Sequence, residues 1–125
     1  MKLLLIIFSL ISLTFSCTAQ NSSAYQNLDN VKFAEKMKAQ NTVVLDVRRT
    51  DEFSSGHLEN AQLLDVTQSD FAEKIKSLDK TKTYLVYCRS GGRSAMAASI
   101  LEKNGFKSVF NLTNGITGWD GKVVK

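Results

Sequence analysis

The chain contains no proline, two cysteines, one histidine and one tryptophan. Without proline there is no stiff proline-rich linker and no cis-prolyl turn. His57 and Cys88 are too few ligands for a protein zinc site, so no metal and no other cofactor is expected. Basic residues never run together with interleaved aromatics, and nucleic acid is set aside as a partner. The formal net charge of +4 is a mild excess with both signs interspersed, as on an ordinary soluble surface. There is no internal repeat. One apolar run is long, residues 3–15, and it falls short of the about 20 residues that span a bilayer as a helix.

That run follows Lys2 and is broken only by Ser9, Ser12 and Thr14. A positive start and a short apolar stretch mark residues 1–16 as an export signal. Ser16 then precedes Cys17. A small residue before a cysteine that directly follows the apolar stretch points to a lipoprotein signal, with Cys17 lipidated as the new N-terminus. That arrangement would anchor the protein on the periplasmic face of a bacterial membrane. The alternative is cleavage after Ala19, which would leave a soluble periplasmic protein. Residues 17–26 are small and polar and read as a flexible tether. Residues 27–121 then form one domain, about 100 residues with one modest core. Monomer is the expected state.

Apolar residues at helical spacing over 28–40 (Leu28, Val31, Phe33, Ala34, Met37) predict a helix. Residues 42–47 read as a buried strand, 51–55 as a short helix ended by Gly56, and 61–66 as a second strand. Residues 69–78 read as a helix, 83–87 as a third strand, and 94–103 as a helix stopped by Asn104-Gly105. Residues 108–112 read as a fourth strand. Helices alternating with short apolar strands imply an α/β domain with a mostly parallel sheet.

The chemistry concentrates where the third strand ends. Cys88-Arg89-Ser90-Gly91-Gly92-Arg93 is a six-residue loop between that strand and the next helix. Ligands of open α/β sheets bind at this end of the strands. Ser90, Gly91 and Gly92 allow a tight turn with backbone N–H groups pointing inward. Those groups, the helix N-terminus and the charges of Arg89 and Arg93 would favour a Cys88 thiolate. Such a thiolate is a nucleophile without a histidine base. The bland alternative is a small buried cysteine closing a strand. If Cys17 is processed, Cys88 is the only thiol left, with no internal disulfide to make.

The loop resembles the active-site loop of rhodanese-like sulfurtransferases. Val44-Leu45-Asp46-Val47-Arg48, Glu52-Phe53, Gly56-His57-Leu58 and Ala61 resemble that family's N-terminal signature. Residues 106–112 with Gly115-Ile116, Gly118 and Trp119 resemble its C-terminal end. Glu59-Asn60 stands where the family usually carries proline and glycine, and a frequent proline near Asp51 is missing. The resemblance implies a rhodanese-like parallel sheet of about five strands with helices on both faces. It also implies a persulfide on Cys88, loaded from a small sulfur donor such as thiosulfate and discharged to cyanide or a thiol. Arg89, Ser90, Gly91, Gly92 and Arg93 would bind the substrate. The related phosphatases and arsenate reductases have a longer loop.

Asp46 and Arg48 are read as an ion pair bracing the loop, and His57 as fixing the turn after Gly56. Trp119 could line the pocket mouth or pack in the core. Asn111-Leu112-Thr113 matches a glycosylation sequon by chance on a buried strand. Two other function classes remain: a tethered binding or sensory module without turnover, which would not need Cys88, and a small oxyanion reductase or phosphatase, disfavoured by the loop length.

Overall fold

The computed structural model describes residues 25–125. The export signal, Cys17 and residues 17–24 of the expected tether lie outside the described residues.

The chain runs β1 (Gln26–Leu28), α1 (Asn30–Met37), β2 (Thr42–Asp46), α2 (Thr50–Ser55), β3 (His57–Leu58), β4 (Gln62–Leu63), α3 (Phe71–Ile75), β5 (Thr83–Tyr87), α4 (Gly92–Lys103), β6 (Ser108–Leu112), a 3-10 turn (Ile116–Gly118) and β7 (Val123–Val124). Five strands form one parallel sheet in the order β1-β6-β5-β2-β4, and β3 pairs antiparallel with β7. This is the expected rhodanese-like α/β architecture, a five-stranded parallel sheet flanked by four helices.

Strand periodicity assigns the two faces. Leu45, Tyr84, Val86 and Val109 join Phe71, Ile75, Ala97, Ala98 and Leu101 in a core under α3 and α4. Val44, Leu85 and Leu112, with Leu28 and Tyr87, join Phe33 of α1 on the other face. Alternate residues of one strand therefore serve two cores, and the central strands read as continuous apolar runs. The small side chains of Ala97 and Ala98 are fully buried where α4 lies on the sheet.

Several boundaries differ from expectation. Leu28 belongs to a strand, pairing with Leu112 of β6, and the helix starts after Asp29, whose carboxylate accepts the Lys32 N–H at 2.9 Å. Gln26, expected in the tether, opens that same strand. The strand expected over 61–66 shrinks to Gln62–Leu63. The Asp65 carboxylate accepts both the N–H and the hydroxyl of Thr67, at 2.8 and 2.7 Å, and turns the chain away. The third helix is shorter than 69–78, and α4 begins at Gly92 instead of residue 94. Asn60 takes the place of the family's turn glycine with φ +61°, a left-handed conformation asparagine tolerates.

Candidate active site

β5 is the middle strand of the sheet, and Cys88 follows its last residue. Gly91 makes the turn into α4 with φ +105°. A Cβ there would lie 2.2 Å from the Thr113 carbonyl oxygen, so the loop closes tightly against the end of β6.

Inside the turn, the Gly91 N–H donates to Cys88 Sγ at 3.1 Å and the Ser94 hydroxyl donates at 3.3 Å. Cys88 is buried, 1% exposed. Burial pushes its thiol pKa up, but hydrogen bonds from the Ser94 hydroxyl and from the backbone N–H groups of Ser94, Gly91 and Ser90 outweigh it. The net shift is downward. The first turn of the twelve-residue α4 adds its positive end. The sulfur thus occupies a cradle built for an anion.

A second loop grips the cradle from outside. The Ile116 N–H donates to the Cys88 carbonyl at 2.9 Å and the Thr117 N–H to the Arg89 carbonyl at 3.0 Å. Gly115 (φ +60°) permits this approach, since a Cβ on it would meet the Arg89 carbonyl oxygen at 2.4 Å. Asn111, buried on β6, donates from Nδ2 to Asn27 Oδ1 at 3.0 Å and to the Gly91 carbonyl at 3.5 Å. That burial leaves no room for a glycan on the sequon.

The residues expected to surround the substrate divide. Arg89, Ser90 and Gly92 are exposed and Gly91 is buried. Arg93 is turned onto Glu52, with Nη1 to Oε2 at 2.7 Å and Nη2 to Oε1 at 2.8 Å. Hydrogen bonding from Arg93, aided by the Arg49 N–H and opposed by burial, lowers the Glu52 carboxyl from 4.5 to about 2. Glu52 also lines a cleft of about 400 Å³ beside the loop, with Arg48, Ser55, Arg89, Ile116 and Thr117.

Asp46 and Arg48 form a buried pair, Nη2 to Oδ2 at 2.7 Å. The same guanidinium donates to the Gly56 carbonyl at 2.6 Å, and the Tyr87 hydroxyl donates to Asp46 Oδ2 at 2.6 Å. His57 stacks on Phe53 with ring centroids 3.8 Å apart, and its Nδ1 lies 3.0 Å from the Phe53 carbonyl. Trp119 packs edge-on to Phe33 and lines a cavity of about 570 Å³ on the α1 face, the face opposite Cys88. Among the described residues no cluster of His, Cys, Asp and Glu could hold a metal ion.

Sequence reasoning did not assign a site role to Glu52, Ser94, Asn111 or Gly115. Ser94 had a local signal, a hydroxyl in the first turn after the loop. The partners of Glu52 and Asn111 are long-range and had none.

Residues 29–122 match the family model described as Rhodanese-like domain. A mitochondrial protein of Schizosaccharomyces pombe, provisionally named a thiosulfate sulfurtransferase, is 38% identical over 93 residues, 66% of each chain. A Bacillus subtilis protein provisionally named a sulfurtransferase is 34% identical over 98 residues, 78% of this chain and 92% of that protein. A tRNA uridine(34) hydroxylase of Chlamydia felis is 32% identical, and the match spans only 34% of its length. The crystal structure of a rhodanese-related protein from Thermoplasma volcanium superposes with a TM-score of 0.71 at 33% identity, covering 80% of this chain and 98% of that one. With these relatives, and with a cysteine cradled at the end of the middle strand, the chain belongs to the rhodanese-like domain family.

Proposed function

We propose that this protein is a sulfurtransferase that carries sulfane sulfur on Cys88. The observation that carries the reading is the cradle: a buried sulfur that accepts a backbone N–H at 3.1 Å and a hydroxyl at 3.3 Å, at the start of a helix. Donors aimed at Sγ stabilise a thiolate, and the helix N-terminus beside it supplies positive potential for the anionic outer sulfur of a persulfide. With a donor such as thiosulfate, the Cys88 thiolate attacks the outer sulfur. The sulfur–sulfur bond of the donor breaks and sulfite leaves with the electron pair. The outer sulfur remains on Cys88 as an anionic persulfide. Cyanide or a thiolate then attacks that sulfur, and the Cys88 thiolate is the leaving group.

The lowered thiol pKa raises the thiolate fraction, so the reading needs no histidine base beside the sulfur. His57 is engaged instead with Phe53. The chain is proposed to act outside the cytoplasm, held at a bacterial membrane by lipid on Cys17, or soluble if cleaved after Ala19.

The test is an intact mass on the detergent-solubilised full chain, before and after excess thiosulfate and donor removal. The expected gain is one sulfur atom, removed by cyanide and absent in Cys88→Ala. No gain from thiosulfate, polysulfide or a thiol persulfide, in a folded protein, would replace this reading with a binding module. The spectrum of the protein isolated from cells also reads the mature N-terminus. A diacylglycerol mass on a chain beginning at Cys17 supports the anchor, and a chain beginning after Ala19 rejects it.

A further inference from the structure

The excess of positive charge is dispersed along the sequence, and the fold gathers it at one end of the sheet. Thr42, Thr83 and Ser108, the first residues of β2, β5 and β6, are register partners, so the segments that feed these strands lie side by side. Those segments, residues 38–41, 76–82 and 103–107, hold Lys38, Lys76, Lys80, Lys82, Lys103 and Lys107 against a single carboxylate, Asp79. A Cβ on Gly105 would lie 3.8 Å from Lys80 Nζ, so two of the segments meet. Lys82 is half-buried and the other five lysines are exposed. Among the described residues, Lys76 alone of the six has an ion pair, with Glu73. Residues 1–24 contain no aspartate or glutamate. At the cradle end, by contrast, Arg48 and Arg93 are each matched by a carboxylate.

Helix ends account for part of this pattern. Lys38, Lys76 and Lys103 complement the negative C-termini of α1, α3 and α4. Lys80, Lys82 and Lys107 lie beyond the last helical turns, where that attraction has fallen off. The chain also enters the sheet from this end, because β1 runs parallel to β6. Ahead of β1 in the sequence stand Cys17 and the apolar run of residues 3–15.

We propose that the lysine end of the sheet is an interaction surface for anionic phospholipid headgroups, and that it turns the Cys88 cradle away from the membrane. An N-terminal anchor, whether the apolar run or lipid on Cys17, would deliver this end to the bilayer and raise the local concentration of headgroups around it. Each lysine near an anionic surface then adds attraction. The five-residue strand β5 separates Lys82 from Cys88 by about 20 Å. That is about twice the Debye length at physiological salt, so little of the surface potential reaches the cradle. An anionic sulfur donor can approach Cys88 from solution without repulsion from the headgroups. The orientation is independent of the chemistry at Cys88.

The test places the full chain isolated from cells on phosphatidylcholine vesicles with and without phosphatidylglycerol. A water-soluble reagent acylates the lysines, and the sites are read by mass. With phosphatidylglycerol present, Lys80, Lys103 and Lys107 should react about tenfold more slowly than on phosphatidylcholine alone. High salt should restore their rates. Lys32, at the cradle end, should keep its rate, and so should Cys88 toward a soluble alkylating reagent. In the double variant Lys103→Gln, Lys107→Gln the protection of Lys80 should largely disappear. Lys32→Gln with Arg49→Gln removes the same charge from the cradle end and should leave that protection in place. Equal rates on the two vesicles overturn the proposal, because the anchor alone then sets the approach. Slowing of Lys32 and Cys88 in place of the lysine end overturns the orientation. If an RNA oligonucleotide protects these lysines and phosphatidylglycerol does not, the surface serves a different polyanion and the proposal falls. The mass of the mature N-terminus in the same sample reports the anchor separately.

Discussion

At Cys88 two effects compete. Burial disfavours the thiolate, while the Ser94 hydroxyl and the N–H groups of Ser94, Gly91 and Ser90 favour it, and the donors prevail. The Ser94 side chain is the one donor that can be removed without touching the backbone. In Ser94→Ala the downward push weakens, so the thiol pKa rises and the thiolate fraction at neutral pH falls. The acid limb of the loading rate against pH should move to higher pH, with about a tenfold loss near pH 7, as expected for one hydrogen bond to a charged atom. An unmoved profile would mean the backbone donors suffice. The sequence made the nucleophile legible because its signals are local: a strand end, two adjacent glycines, two arginines and a helix start within a few residues. It did not make the fate of Arg93 legible, because Glu52 lies 41 residues away and only the fold brings them together.

Among the elements, β2, β5 and β6 were readable because each is a five-residue run with β-branched and aromatic residues at its centre. The strands β1, β3 and β7 have two or three residues each, too few for a period to register, while β4 lies inside the strand expected over 61–66 and is shorter than it. Their existence depends on partners far along the chain. β1 pairs with β6, and β3 pairs with β7. The loop at residues 113–117 behaves in the same way. Its glycine could be noted in the sequence, but its grip on the Cys88 and Arg89 carbonyls is a long-range contact. Gly115→Ala tests that grip. The new methyl would fall within 2.4 Å of the Arg89 carbonyl in a left-handed conformation, so the two loops must separate. A loss of more than about 1 kcal/mol is expected in urea unfolding, together with slower loading of Cys88 in the folded fraction. Unchanged loading would show that the cradle holds its shape without the outer loop.

On the scale of the whole molecule, one buried polar group of residues joins pieces that the sheet alone would leave separate. Asp46 and Tyr87 are register partners on the neighbouring strands β2 and β5. The Tyr87 hydroxyl donates to Asp46 Oδ2 at 2.6 Å and accepts the Leu58 N–H of β3 at 3.0 Å. Arg48 completes the link by reaching from Asp46 to the Gly56 carbonyl. The short β3–β7 ribbon, and with it the C-terminal end of the chain, is thereby fastened to the middle of the parallel sheet. Burial together with the Asp46 carboxylate pushes the Tyr87 hydroxyl pKa well up, so it stays a donor at any working pH. Tyr87→Phe keeps the ring and removes both bonds. The Leu58 N–H is then left buried without a partner and Asp46 loses one of its donors, which should cost about 1–3 kcal/mol. The urea midpoint should fall while the slope is retained, because the folded and unfolded surfaces hardly change. The Tyr87 side chain faces the α1 core and Cys88 the α4 core, so persulfide loading of the folded protein should remain near the parent rate. Equal loss of stability and of loading would instead mean that the two faces of the sheet are coupled through β5, and that the cradle depends on the network beneath it.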